Sequence, residues 1–158
     1  MIAWYDHVLG VDHRPTPQPH VRLYVMGANT WRDEQEWPLA RTHFTPLYLK
    51  ANGRLARTEP DASRAADAFA YDPKSPVLTR GGAMLGPRAG VVLQEPVHAR
   101  PDVLNFVTAP LTRPLEITGP LQARFWVTTD APSTDFTAKL SLITPKGEAY
   151  NLADGIVR

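Results

Sequence analysis

The residues able to do chemistry in this chain are present but not arranged for it. A serine nucleophile of an α/β hydrolase sits on a sharp strand-to-helix turn, usually Gly-x-Ser-x-Gly, because only small neighbours tolerate that backbone. The four serines, Ser63, Ser75, Ser133 and Ser141, all lack the flanking glycines and read as loop or strand hydroxyls. The five histidines, His7, His13, His20, His43 and His98, contain no pair at the i, i+4 spacing of a zinc-binding helix, and no His-Glu-x-x-His. Cysteine is absent, which removes disulfides, thiolate metal sites and a thiol nucleophile. Asp33, Glu34 and Glu36 cluster between Trp31 and Trp37. Carboxylates beside aromatics can handle sugars, but three acids within four residues of one loop do not face each other across a substrate. They read as a solvated or interface loop. Gly81, Gly82 and Gly86 lack the Lys-Ser/Thr ending of a phosphate loop and read as turn glycines. No catalytic residue, metal ligand or cofactor site is therefore assigned, and the chain is expected to be inactive alone.

One residue does stand out. Residues 121–129 alternate, with Leu121, Ala123, Phe125 and Val127 on one face and Gln122, Arg124, Trp126 and Thr128 on the other. Trp126 thus falls on the polar face. It either covers a sheet edge, half-buried, or belongs to a surface that packs on another domain or lines a pocket there.

The elements that must position this residue are short. Sixteen prolines argue for many brief strands and turns rather than long helices. Residues 2–9 suit the last turns of a helix, with Ile2, Tyr5 and Leu9 on one face and Gly10 as its stop. Pro15, Pro17 and Pro19 mark an extended connector. Residues 21–27 are apolar almost throughout, the pattern of a strand buried on both faces, and 28–38 read as a polar, Trp-rich loop. Asn52-Gly53 between strand-like runs predicts a hairpin, and 56–68 a surface loop. Strands are expected at 103–108, 121–129, 136–142 and 148–152, with Pro145-Lys146-Gly147 turning between the last two. The fold class expected is mainly β. Residues 1–44 read as the end of an α/β domain and its linker, and 45–158 as the first part of a sandwich or jelly roll.

Composition narrows the partners. Seventeen basic and sixteen acidic residues leave a formal charge of +1, with no footprint for nucleic acid or an anionic membrane. No apolar run approaches the ~20 residues of a spanning helix. The N-terminus has no signal-peptide pattern, so a soluble, cytoplasmic location is the default expectation.

The residues also resemble a known family. Trp4-Tyr5-Asp6-His7-Val8-Leu9-Gly10, Val21-Arg22-Leu23-Tyr24-Val25-Met26-Gly27, Trp31-Arg32 and Trp37-Pro38 run in the order of the X-Pro dipeptidyl-peptidase and cocaine esterase family of serine hydrolases. Tyr71-Asp72-Pro73, Pro76-Val77, Gly81-Gly82, Arg100-Pro101-Asp102-Val103-Leu104, Ile117-Thr118-Gly119-Pro120, Thr134-Asp135-Phe136-Thr137-Ala138-Lys139-Leu140 and Asp154-Gly155-Ile156-Val157-Arg158 continue the match over nearly the whole chain. The resemblance implies an α/β-hydrolase domain, a helical cap and a C-terminal jelly roll of galactose-binding type, cleaving acyl esters or X-Pro amides with a Ser-Asp-His triad. That triad would lie upstream of Met1, and His7 and His13 do not match its histidine. The chain would then be a partial jelly roll preceded by the hydrolase domain's last helix and strand, with that domain as its partner and a homo-oligomer left open. Two jelly-roll residues of the family reach the acyl side of the active site, and the matching positions are Phe125 and Trp126. The alternation favours Trp126 as the interface residue and Phe125 as core. The competing readings are a stand-alone carbohydrate-binding jelly roll and an inactive truncated product.

Overall fold

The computed structural model describes residues 2–11, 19–61 and 65–158; His13, Pro15, Pro17 and Ser63 lie outside them. Two compact units emerge, Met1–Phe44 with Leu115–Leu121, and Thr45–Pro114 with Gln122–Arg158. Among the described residues the chain is mainly β, built from antiparallel hairpins, with two short helices. No described helix is long and apolar enough to cross a membrane.

In the first unit, helix α1 (Ile2–Val8) ends as expected at Gly10, whose φ of 69° only glycine adopts at little cost. The amide of Gly10 donates to the carbonyl of His7 (3.2 Å) and that of Val11 to Asp6 (2.8 Å), the paired bonds of a Schellman stop. Strand β1 (Val21–Val25) then pairs antiparallel with β2 (Thr30–Glu34), in register from Val21↔Glu34 to Val25↔Thr30. This corrects two expectations. Residues 21–27 are not a strand buried on both faces: Arg22 and Tyr24 are exposed, and Met26 and Gly27 belong to the turn. The Trp-rich stretch 28–38 is not all loop, because Thr30–Glu34 completes the hairpin. The physical reason is a turn at residues 26–29, where Gly27 and Asn29 hold positive φ of 86° and 52°. It folds the charged strand back on the apolar one. Across the outer face Arg22 meets Asp33 at 3.1 Å, and Tyr24 packs edge-on against Trp31 with ring centres 5.3 Å apart.

In the second unit, Asn52 and Gly53 (φ 59° and 65°) turn β3 (Tyr48–Lys50) into β4 (Arg54–Ala56), as the sequence predicts. Val107 adds a third line beside them: its amide donates to Gly53 O (2.7 Å) and its carbonyl accepts from Leu55 N (2.8 Å). Otherwise residues 103–108 form no strand. Strand β5 (Phe136–Ile143) pairs with β6 (Ala149–Val157) through the expected turn, where Gly147 has φ 84°. The register slips between Leu140 and Ser141, so that Leu140 faces Ala153 and Ser141 faces Asn151, a β-bulge. A one-turn helix, α2 (Glu95–His98), precedes these strands and was not anticipated.

The strand expected at 121–129 is absent. Those residues carry no strand assignment, and no backbone bond within the described residues involves them. Alternation alone does not make a strand; a neighbouring edge must supply the ladder.

Candidate functional site

Phe125 and Trp126 lie in this unpaired stretch. Trp126 is 90% exposed and Phe125 37%, with Leu121 (54%) and Val127 (49%) beside them. Phe125 is therefore not a core residue, contrary to expectation: its segment has no sheet to present it to a core. Within this stretch Trp126 is the most exposed of the large apolar side chains.

What leads into this stretch is the strap Leu115–Leu121, which belongs to the first unit. Arg32 of β2 forks onto Glu116, Nη1 donating to Oε2 (3.0 Å) and Nη2 to Oε1 (2.7 Å). Thr118 Oγ1 donates to the same carboxylate at 2.8 Å. Arg32 Nε also lies 2.6 Å from Glu34 Oε1, an ion pair without hydrogen-bond geometry, and Glu34 in turn accepts both arms of Arg41. The four charges alternate in sign. The Arg32 fork, then Thr118, holds the Glu116 carboxyl down to about 2, and Arg41 lowers Glu34. The sequence reading of Asp33, Glu34 and Glu36 as one acidic loop is thus corrected. Pleating sends Asp33 outward to Arg22 and Glu34 inward, where it is 8% exposed.

A second polar constellation, missed from sequence, centres on Gln94. It is the one described side chain under 2% exposed. Its Nε2 reaches Arg80 O (3.1 Å), Val92 O (3.0 Å) and Asn151 Oδ1 (3.1 Å), and its Oε1 accepts from Lys139 Nζ (3.1 Å). Asn151 accepts from the Val92 amide (2.8 Å) and donates to Gly90 O (3.1 Å). The Gln94 amide donates to Ala149 O (2.9 Å) and the Ala149 amide to Glu95 Oε1 (2.7 Å), which lowers the Glu95 carboxyl. Residues 80–95 are thereby laced to β6. Gly81, at φ 66°, fits only as glycine, since an added Cβ would lie 2.6 Å from Val92 Cγ2. The signal available in the sequence was Gln94 in an otherwise apolar run, Val91-Val92-Leu93.

Neither constellation holds a nucleophile beside a base. Among the described residues no three His, Asp or Glu side chains gather as metal ligands would. A shallow cleft of about 390 Å³ lies between Pro76, Leu78, Arg80, Pro96, Val97 and Arg100, with Arg100 already forked onto Asp102 at 2.8 and 2.7 Å.

The surface as a whole is unusual. The chain exposes 13429 Å², whereas a monomer of 17.5 kDa is expected to expose about 7,900 Å². Leu39 and Ala149 are the buried hydrophobic residues among those described.

The described residues thus form mainly antiparallel hairpins that leave many large apolar side chains in water. The chain belongs to the family of X-Pro dipeptidyl-peptidase C-terminal non-catalytic domains, whose profile matches residues 13–158. It is similar to a cocaine esterase of Rhodococcus sp. (strain MB1 Bresler), 42% identical over 167 aligned positions that cover 99% of this chain and 29% of that protein. It is also similar to proteins bearing serine-esterase names from Mycobacterium bovis and Mycobacterium tuberculosis, each 26% identical over 96% of this chain and 24% of the relative. The chain spans less than a third of the length of these relatives.

Proposed function

We propose that this chain serves as the non-catalytic accessory region of a serine hydrolase acting on acyl esters or X-Pro amides. In this reading residues 1–44 close the hydrolase domain, and 45–158 form the first part of a jelly roll that packs on it. Trp126, with Phe125 beside it, helps shape the acyl pocket. The observation that carries the reading is the surface. An indole left 90% exposed in an unpaired segment, on a chain exposing several thousand Å² beyond the expectation for its mass, suits a region covered by a larger body. Excess surface on that scale exceeds the ~800 Å² per partner of an ordinary interface, and large apolar side chains such as Leu78, Leu85 and Trp126 lie in it. A stand-alone carbohydrate-binding module would have to keep that surface in water.

The test is a chimera in which this chain replaces the matching stretch of the Rhodococcus cocaine esterase. The chimera is expected to hydrolyse aryl esters, and Trp126→Ala to change its ranking of kcat/KM across a series of acyl groups. An unchanged ranking in a folded, active Trp126→Ala chimera contradicts the pocket role. Hydrolysis of p-nitrophenyl esters by the isolated chain, abolished by a serine-reactive phosphonate, contradicts the accessory reading altogether.

A further inference from the structure

The strap Leu115–Leu121 has no visible means of staying in place except its side chains. Within the described residues none of its backbone groups is hydrogen-bonded to another backbone group. Its apolar residues are poorly covered, with Leu115 at 49%, Ile117 at 48% and Leu121 at 54% exposure. What ties it down is Glu116, held by both arms of Arg32 across 84 positions of sequence, with Thr118 bracing the carboxylate and Gly119 against Thr42.

We propose that Arg32 and Glu116 are positioning residues: their forked ion pair hooks the strap onto β2 and fixes the residues from which the segment carrying Phe125 and Trp126 departs. Isolated surface pairs contribute little because two long side chains must be ordered for a screened attraction. This pair differs in three respects. It is bidentate, which adds directional strength. Its arginine is only 29% exposed. And that arginine is pre-ordered by Glu34, itself 9% exposed and gripped by Arg41. The row Arg41, Glu34, Arg32, Glu116 places opposite charges side by side throughout, so each pair holds its neighbour's rotamer. Trp126 follows the end of the strap by five residues, so the hook bears on it through the chain that joins them. The hook stands on the geometry alone; its consequence for Trp126 rests on the accessory reading above.

The absence of cysteine allows a clean test on the chain itself. Spin labels at Thr30→Cys and Ile117→Cys report the distance from β2 to the strap by pulsed electron resonance. A single narrow distance is expected, lost as a broad distribution in Glu116→Gln and in Arg32→Gln, and kept in Arg41→Gln to a greater degree. Glu116→Gln preserves side-chain shape and can still accept from Thr118, so loss of the fold does not confound it. A narrow distance that survives both Glu116→Gln and Arg32→Gln overturns the hook. The second readout uses the esterase chimera. Glu116→Gln is expected to alter the acyl-group ranking in the same direction as Trp126→Ala. A uniform drop for every acyl group, or a ranking indifferent to both substitutions, overturns the positioning role, while the spin-label result still decides the hook by itself.

Discussion

The strap of the first unit and the 80–95 segment of the second are both pinned to a hairpin by side chains, and by opposite chemistry. The strap is held by a row of alternating charges, Arg41, Glu34, Arg32 and Glu116, whose two ends are open to water. The 80–95 segment is held chiefly by two amides out of water, Gln94 and Asn151, which are 0% and 4% exposed, with one ammonium, that of Lys139, on Gln94. The difference teaches what each device is good for. A buried amide network is insensitive to salt and costs the most when broken, because its partners are left without water. A partly exposed ionic hook is weaker, adjustable, and responsive to pH and ionic strength.

The comparison breaks most visibly at Gln94. Gln94→Leu removes the amide that serves Arg80 O, Val92 O, Asn151 Oδ1 and the Lys139 ammonium at once, leaving Arg80 O and Val92 O only their longer contacts to Lys139 and Asn151, and is expected to destabilise the second unit by about 2–4 kcal/mol. Urea unfolding followed by hydrogen exchange on β5 and β6 measures it, and a loss that shrinks in high salt would contradict the neutral character assigned to the hub. Next comes Gly81→Ala. It forces a side chain into a positive-φ site and against Val92 and Gly90, for about 1–3 kcal/mol in the same assay. Gly53→Ala meets Asn105 O at 2.7 Å at the other hairpin, and about 1–2 kcal/mol is expected there.

The smallest effect belongs to the hook, and its sign is set by Glu116. The carboxyl is depressed in the folded chain from an ordinary 4.5 to about 2. Its contribution is therefore present in full above the unfolded value and is lost as pH falls from about 4.5 through 2. Glu34, lowered by Arg41, falls in the same direction. The spin-label distance between β2 and the strap is expected to be constant from pH 6 to 9 and to broaden in acid or in molar salt, while hydrogen exchange at the Gln94 hub is unmoved by salt. A strap that loosens instead on raising the pH would refute this assignment.

What could be read in advance follows the same division. Asn52-Gly53, Gly10 and the β5–β6 turn were legible because their backbone chemistry is local: a positive φ demands particular residues. β2 was not, since Thr-Trp-Arg-Asp-Glu becomes a strand only when β1 offers its edge, and Glu34 turns inward only once the pleat puts it on the face of Arg32, where Arg41 meets it. The reverse failure occurred at 121–129, where faultless alternation predicted a strand and no described edge pairs with it. Gln94 stayed hidden because a lone glutamine at the end of Val91-Val92-Leu93 carries no periodic signal. At the candidate site the sequence singled out Trp126, but it placed Phe125 in a core that the described residues do not build.

The accessory reading turns on whether Trp126 is covered when the chain is joined to a catalytic part. Oxidation by N-bromosuccinimide, mapped by mass spectrometry at each tryptophan, measures that directly. In the isolated chain Trp126, at 90% exposure, is expected to react fast. In the chimera with the Rhodococcus esterase its reaction is expected to slow sharply, and to recover when Glu116→Gln unhooks the strap. Equal reactivity of Trp126 in the isolated chain and in the folded, active chimera would contradict the account.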